Sequence, residues 1–216
     1  QVELARLQYL ATRLVGRCNE KLGVTEAAQL AAAALRWHAQ ADVAFCHAAQ
    51  IIRSGLPKGD IDVNALFLTG GQRGAELMTA TLTGRAIEHY LESLMNSKKE
   101  RTEWAGFRGE LVYSESEQTW IAHTDLDLER NYRVIVPKLE WNNRIERYLV
   151  PAGKEDANNS SATFADLSEC AFSFIDALSA YAGYLMAEDV RLDAHVKKLA
   201  AARRLKVERV PQKNPR

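Results

Sequence analysis

The chain has 216 residues, 47% of them hydrophobic and 26% charged, a composition that is typical of a folded globular protein. Its 28 lysines and arginines balance 28 aspartates and glutamates, so no overall charge attracts the molecule to nucleic acid or to an anionic membrane. No run of about 18 apolar residues is present and charges interrupt the start of the chain, so the sequence predicts a soluble, cytoplasmic protein with no membrane partner.

The spacing of apolar residues predicts that the first part of the chain, residues 1–100, is helical. Leucines three or four positions apart indicate a first helix over about 3–22. An alanine-rich stretch indicates a second helix over about 25–54, which would be about 45 Å long. A seam of apolar and small residues indicates a third helix over about 77–94.

The pattern changes in the middle of the chain, over residues 107–150. Short β-branched or aromatic runs are separated there by polar turns, as in antiparallel sheets. The runs cover residues 110–113, 119–123, 132–136 and 147–150. We interpret them as a small antiparallel β meander of three or four strands, inserted around residues 108–150.

The most regular pattern lies in the C-terminal part of the chain. Apolar residues over 164–185 recur three and four positions apart, which predicts a long C-terminal helix or helices over residues 163–205. Thr163 and Asp166 resemble the capping pair at the start of such a helix. A basic tail over residues 206–216 follows.

These elements predict a single domain over residues 1–216 with an α+β fold that is predominantly α-helical, a helical bundle carrying a small meander. The cysteines Cys18, Cys46 and Cys170 are odd in number and far apart, which favours reduced thiols packed in the core. The helical seams offer more apolar surface than a monomer of this size is expected to bury. Self-association or a protein partner is therefore expected.

The glycine-rich segment from Gly70 to Gly74 is the first candidate site. If a strand preceded it and a helix followed it, backbone N–H groups could hold a phosphate. The segment lacks the lysine and hydroxyl residue of a Walker loop and the spacing of a dinucleotide-binding loop. A tight turn is therefore the stronger interpretation, with phosphate binding as the alternative.

A second candidate is the alternating set His123, Asp125 and Asp127. On an extended strand all three side chains would point to one side, an arrangement suited to acid–base chemistry or a divalent cation. A solvated strand face that runs into a turn is the more common origin of such a pattern. The sequence offers no nucleophile or second carboxylate pair to complete an active site.

The third candidate is the basic C-terminus. From Lys197 onward the sequence contains eight lysines and arginines and one acidic residue, Glu208, so this part of a neutral protein carries a local charge of +7. Such a segment can neutralise the phosphates of nucleic acid or contact an acidic partner. We predict nucleic-acid-binding roles for Lys197, Lys198, Arg203, Arg204, Lys206 and Arg209.

The sequence favours a non-enzymatic interaction module of a prokaryotic cytoplasmic assembly, because no motif combines a nucleophile, a base and a stabilising group. Nucleic acid or an acidic partner would bind at its basic C-terminus. No residue is assigned a catalytic or metal-binding role, and no cofactor is expected. One alternative is a small phosphate- or metal-dependent enzyme of the nuclease type. A purely structural adaptor is another.

Overall fold

The structure is a computed structural model that describes residues 10–73, 75–98, 100, 102–149 and 164–201. The strands in these residues are β1 (Leu14–Cys18), β2 (Val43–Cys46), β3 (Gly59–Asp62), β4 (Leu77–Thr83), β5 (Glu103–Ala105), β6 (Gly109–Ser114), β7 (Thr119–Thr124), β8 (Asn131–Pro137) and β9 (Phe164–Glu169). The helices are α1 (Val24–Ala39), α2 (Ala48–Ile51), α3 (Val63–Leu66), α4 (Gly84–Lys98), α5 (Lys138–Glu140), α6 (Glu146–Leu149), α7 (Phe174–Ala187) and α8 (Leu192–Ala201). Two π-helical turns extend α3 and α5, at Phe67–Gly71 and Trp141–Ile145. Within these ranges no helix is both long enough and apolar enough to cross a membrane.

Five strands form a mixed sheet in the order β5-β2-β8-β4-β9. Strands β2 and β8 run parallel, with Val43 opposite Val134, and the other neighbouring pairs are antiparallel. Two ribbons, β1 with β3 and β6 with β7, lie outside this sheet. The fold is therefore mixed α/β, and the prediction of a predominantly helical bundle with one inserted meander is wrong.

Hydrophobic cores cover both faces of the sheet. Its strands are therefore apolar at successive positions, and their sequences do not distinguish them from buried helices. Along β2, Val43 and Phe45 belong to one hydrophobic core, whereas Ala44 and Cys46 belong to the other. Helices α1, α7 and α8 cover one face; α4, the β6–β7 hairpin and the segment after β8 cover the other. A strand that is buried on both faces shows no alternation of polar and apolar residues.

The predicted helix over residues 25–54 is wrong beyond its first half. Helix α1 ends at Ala39, where Gln40 adopts a left-handed conformation with φ of 51° and donates its backbone N–H to the carbonyls of Arg36 and Trp37. The alanines of α1 are buried because this helix packs closely against α7. The apolar run that follows belongs to strand β2 rather than to a longer helix.

The first and third predicted helices also contain strands. Residues 14–18 form β1, whereas residues 1–9 lie outside the described part of the chain. Residues 77–83 form β4, whose three threonines are β-branched and favour a strand, so that α4 begins only at Gly84. The later part of the predicted seam, from Ile87 to Leu94, is buried in α4 as expected.

The predicted C-terminal helix is divided between a strand and two helices. Residues 164–169 form the edge strand β9, in which Asp166 has a φ of 55°. Helix α7 is capped by Ser173, whose hydroxyl accepts from the backbone N–H of Asp176 while the Asp176 carboxylate accepts from the backbone of Ser173. Thr163 and the tail over 206–216 lie outside the described residues.

The predicted meander does not form a single sheet. The runs 110–113 and 119–123 form the β6–β7 hairpin, as expected. Residues 132–136 belong instead to β8 in the centre of the mixed sheet, where β4 and β2 flank them. Residues 147–149 are helical rather than extended. They belong to α6, the last part of a helical segment that begins after β8, and Leu149 packs into the core.

A row of side chains on α4 pairs with the outer edge of β7. Three α4 residues spaced four apart accept from the backbone N–H groups of three alternate β7 residues: Glu88 from Thr124 at 2.9 Å, Glu92 from Ala122 at 2.9 Å, and Asn96 from Trp120 at 2.7 Å. Four helical residues rise about 6 Å and two strand residues about 6.7 Å, so the two repeats nearly match. The helix thus occupies the place of a third strand.

A candidate anion-binding groove

A groove lies at the edge of the sheet where β2 and β8 end. Because these strands are parallel, the residues that follow them lie at the same edge, and the residues before β4 join them since β4 is antiparallel to β8. The groove has a volume of about 270 Å³. Its lining residues are Gln72, Arg73, Ala75, Glu76, Lys138, Leu139 and Asn142. In α/β sheets, ligands commonly bind outside the carboxyl ends of parallel strands.

Arg73, which lines the groove, and Arg53, which is bonded to the lining residue Gln72, bind only neutral oxygens among the described residues. Arg53 donates from Nη1 to the side-chain oxygen of Gln72 at 3.0 Å, and Arg73 donates from Nη1 to the backbone carbonyl of Gln50 at 3.3 Å. Both side chains are exposed, and no carboxylate in the described ranges lies within ion-pair distance of either guanidinium. Their positive charge is therefore available to an anionic ligand.

The other two cations of this region are already paired. Lys138 Nζ lies 2.9 Å from Glu76 and 2.6 Å from Glu169, and these two carboxylates raise the pKa of the lysine. Arg144 Nη1 lies 2.7 Å from Glu100. Of the paired cations Lys138 lines the groove, whereas Arg73, with Arg53 beside it, supplies positive charge that no carboxylate of the described residues neutralises.

A buried carboxylate, Glu140, lies behind the groove. It is 0% exposed and accepts three hydrogen bonds: from Thr102 Oγ1 at 2.6 Å, from Tyr90 Oη at 2.9 Å and from the backbone N–H of His47 at 2.7 Å. Burial raises the pKa of this carboxyl, and the three donors together with Arg144 oppose the rise without cancelling it. One side chain thus joins β2, α4 and the segment before β5.

His47 connects this buried carboxylate to helix α2. Its Nδ1 accepts from the backbone N–H of Gln50 at 3.2 Å, which caps the helix and leaves the proton of the neutral ring on Nε2. Nε2 lies 3.4 Å from Glu100 Oε2. Burial, followed by the nearby charge of Arg144, lowers the pKa of His47, so the ring favours its neutral form.

The glycine-rich segment does not form the predicted turn between a strand and a helix. A helix, α3, precedes it, and Phe67–Gly71 forms a π-helical turn that leads towards strand β4. A Cβ atom on Gly71 would lie 2.7 Å from the Phe67 ring, and one on Gly70 would lie 3.1 Å from Phe174. These glycines serve close packing, and the residues that reach the groove come directly after them. Gly74 lies outside the described residues.

His123, Asp125 and Asp127 do not converge on a site. His123 is an exposed residue of β7, while the carboxylates of Asp125 and Asp127 accept from the backbone N–H groups of Arg108 and Glu129. Asp125 therefore joins the open ends of β6 and β7, and Asp127 stabilises the turn that follows. Across the described ranges, no group of three or more histidine, cysteine, aspartate or glutamate side chains could hold a metal ion.

The basic C-terminus is described only in part. Lys197 lies on α8 and pairs with Glu20 at 2.7 Å, and Lys198 is exposed on the same helix. The predicted nucleic-acid contacts Arg203, Arg204, Lys206 and Arg209 lie outside the described residues. The proposed contacts of these six residues therefore stay a prediction that the described part of the chain does not test.

The residues in and beside the groove were not predicted from the sequence. Arg53 follows α2, Arg73 belongs to the segment before β4, and Lys138 follows β8, so only the strand order brings them together. The polar residues directly after the apolar runs 43–46 and 132–137 could have indicated the position of the groove. They could do so only if both runs had been recognised as parallel strands.

The sequence matches the model of a known domain family over residues 5–143, which is more than half of the chain. The family is described as 5'-nucleotidase, C-terminal domain. No curated protein matches the sequence.

Solved structures of larger enzymes share the fold. A 5'-nucleotidase precursor from Thermus thermophilus is 18% identical over 85% of this chain, with a TM-score of 0.59. An NAD nucleotidase from Haemophilus influenzae is 13% identical over 84%, with a TM-score of 0.64. The sulfate thiohydrolase SoxB from Thermus thermophilus is 18% identical over 97%, with a TM-score of 0.56. The matched regions are 39%, 37% and 36% of these proteins, so the chain spans little more than a third of their length.

These similarities contradict the prediction of a non-enzymatic interaction module that binds nucleic acid through its C-terminus. The family and the similar structures are those of nucleotidases and a related hydrolase. The prediction failed because it relied on the lack of a catalytic motif. A binding groove assembled from distant segments leaves no such motif in the sequence.

Proposed function

The chain belongs to the family of 5'-nucleotidase C-terminal domains, and from this premise we propose that it is the substrate-binding part of a hydrolase that acts on nucleotides or related esters. The groove at the carboxyl ends of β2 and β8 holds the oxyanion of the substrate. The observation that carries the proposal is the pair Arg53 and Arg73, two exposed guanidiniums whose only partners in the described residues are amide oxygens.

Guanidinium groups suit this role for a geometric reason. A planar guanidinium can present two parallel N–H groups to the oxygens of a phosphate, and these charge-assisted bonds are about twice as strong as neutral ones. Neutral amide partners orient Arg53 and Arg73 without consuming their charge. A tetrahedral oxyanion that enters the groove would replace solvent at both groups.

A sulfate-type substrate is the second candidate for the same groove. The SoxB structure matches 97% of the chain and therefore includes part of the region beyond residue 143, where the family match ends. That enzyme is described as a sulfate thiohydrolase. Phosphate and sulfate share tetrahedral geometry and peripheral oxygens, so the two candidates must be separated by measurement.

The test is calorimetric titration of the purified chain with adenosine monophosphate, inorganic phosphate and inorganic sulfate at fixed ionic strength. The double variant Arg53→Ala/Arg73→Ala should bind the preferred anion about 100-fold more weakly, since each charge-assisted hydrogen bond contributes about 1.5–3 kcal/mol. The preferred ligand identifies the substrate class. Tighter binding of adenosine monophosphate than of phosphate favours a nucleotide, and preference for sulfate favours the second candidate.

A matched control removes two positive charges elsewhere. Arg17 and Arg191 line a separate cavity of about 210 Å³ between β1 and the turn before α8, so Arg17→Ala/Arg191→Ala changes the net charge equally. Unchanged affinity in this variant is expected. Equal weakening in both double variants would mean that overall charge determines binding, and it would overturn the assignment of the groove.

A further inference from the structure

The two walls of the groove come from separate parts of the chain. One wall includes Gln72 and Arg73, which precede β4, and Arg53 supports this wall from outside through its bond to Gln72. The other wall consists of Lys138, Leu139 and Asn142, which follow β8. An anion that bridges the groove requires these walls to keep a fixed separation.

The geometry points to Glu140 as the positioning residue that fixes one wall of the groove against the other. This inference rests on the proposed function, since it concerns the same groove. Glu140 lies in the chain between Leu139 and Asn142, which line the second wall, while its carboxylate accepts from His47 at the start of α2. Although its neighbours Leu139 and Asn142 line the groove, Glu140 is fully buried, so its carboxylate would not touch the anion.

A continuous series of hydrogen bonds leads from Glu140 to Arg73. The backbone N–H of His47 donates to Glu140 at 2.7 Å, and the His47 ring accepts from the backbone N–H of Gln50 at 3.2 Å. The Gln50 carbonyl then accepts from Arg73 at 3.3 Å. A displacement at Glu140 therefore reaches the guanidinium that is free to bind an anion.

The side chain of Gln50 adds a second connection between the walls. Its Oε1 accepts from Arg144 Nε at 3.1 Å, and its Nε2 donates to the backbone carbonyl of Leu139 at 3.3 Å. Both bonds lie nearer the surface than the bonds of Glu140, which is 0% exposed. The buried carboxylate thus fixes the base of the groove and Gln50 fixes its rim.

Burial of a carboxylate is a poor way to gain stability alone. Replacement of buried charged networks by apolar side chains of similar volume is often neutral or stabilising, because the charges lose their hydration. A fully hydrogen-bonded polar network instead specifies one arrangement of the elements that it joins. Glu140 joins three such elements at the base of the groove, through His47, Tyr90 and Thr102.

The test separates positioning from stability. In the triple variant Glu140→Met/Tyr90→Phe/Thr102→Val the carboxylate and both hydroxyl groups are removed and the volume is nearly kept. Its thermal midpoint should fall by only a few degrees, because, of the three donors, only the backbone N–H of His47 is left without an acceptor, whereas its affinity for the preferred anion should fall about tenfold. Leu111→Ala, in the β6–β7 hairpin, serves as a control that loses stability but should keep its affinity.

Relaxation-dispersion NMR without ligand gives a second readout that does not depend on binding. The triple variant should show microsecond-to-millisecond exchange at the amides of Gln50 and of Leu139 to Asn142, and the wild type should not. Rigid walls in the triple variant, or unchanged affinity, would overturn the positioning role. If the wild type binds none of the three probes, the proposed function fails, and the exchange measurement alone decides the role of Glu140.

Discussion

Side-chain oxygens accept hydrogen bonds in two contrasting regions of this molecule. Behind the groove, the single buried carboxylate of Glu140 receives donors from three different elements. Along β7, Glu88, Glu92 and Asn96 each serve one strand residue and lie at a partly exposed surface. The difference shows that the same bond can join one helix to one strand or fix the relative positions of several elements.

The surroundings of the two regions differ as well. Arg73, which has no carboxylate partner in the described ranges, is linked to Glu140 through Gln50 and His47, and Arg53 is bonded to Gln72, the residue before Arg73. The acceptors of the α4–β7 row hold the hairpin along its length, and their oxygens already accept hydrogen bonds from β7. We therefore assign function to the first region and structural support to the second. Substitutions at buried, partly exposed and exposed acceptors can test this difference between the two regions.

The largest effect is expected at the buried carboxylate. Glu140→Ala should lower the free energy of unfolding by about 3–5 kcal/mol, because it leaves three buried donors unpaired and opens a cavity. Urea unfolding followed by circular dichroism measures the loss. Glu146→Ala, an exposed position on α6, should change stability by less than about 0.5 kcal/mol. A loss below about 1 kcal/mol at Glu140 would remove the distinction between the two regions.

An intermediate effect is expected at the α4–β7 row. Glu88→Ala/Glu92→Ala should cost about 2–3 kcal/mol, since charged hydrogen bonds are lost at a partly hydrated surface. Hydrogen exchange should accelerate at the Ala122 and Thr124 amides, with little change at the His47 amide. Glu117→Ala, in the exposed turn of the same hairpin, is the control. Faster exchange at His47 as well would show that the two regions are coupled.

The smallest effect is expected where the same bond is exposed, in the capping box of α7. Asp176→Asn should cost about 1 kcal/mol at neutral pH. The hydroxyl and backbone N–H of Ser173 lower the pKa of Asp176, so the stabilisation is complete above the ordinary value of 3.8 and is lost as the pH falls through the lowered value. Urea unfolding from pH 7 to pH 2 should show the two proteins converging in acid. A constant difference would contradict the assigned role of the carboxylate.

The elements that sequence alone predicted are those with one buried face. The β6–β7 hairpin shows alternation, and the seam from Ile87 to Leu94 has helical spacing, so both were recognisable. Strands β2 and β4 were not, because apolar residues cover both of their faces and their spacing is compatible with a helix. The alanines of α1 continued into β2 without a glycine or proline to mark the boundary.

The groove depended on information that no local pattern contains. Arg53, Arg73 and Glu140 become neighbours of one site only when β2 and β8 are placed side by side. The glycine-rich segment does lead into the groove, but its glycines do not form a phosphate-binding turn, since they pack against Phe67 and Phe174. Recognition of two parallel strands would have predicted that polar residues after them meet at one edge.

The central position of β8 has a consequence for the synthesis of the chain. All seven of its residues pair with β4 on one side, Val134 and Ile135 pair with β2 on the other, and both of these strands emerge from the ribosome much earlier. Until Pro137 has been added, the two earlier strands lack their shared partner and expose unpaired edges. Pairing between segments so distant in sequence slows folding and prolongs the time during which such edges can aggregate. Ribosome-bound chains that end before Asn131 should therefore depend on chaperones, and chains that extend past Pro137 should depend on them less.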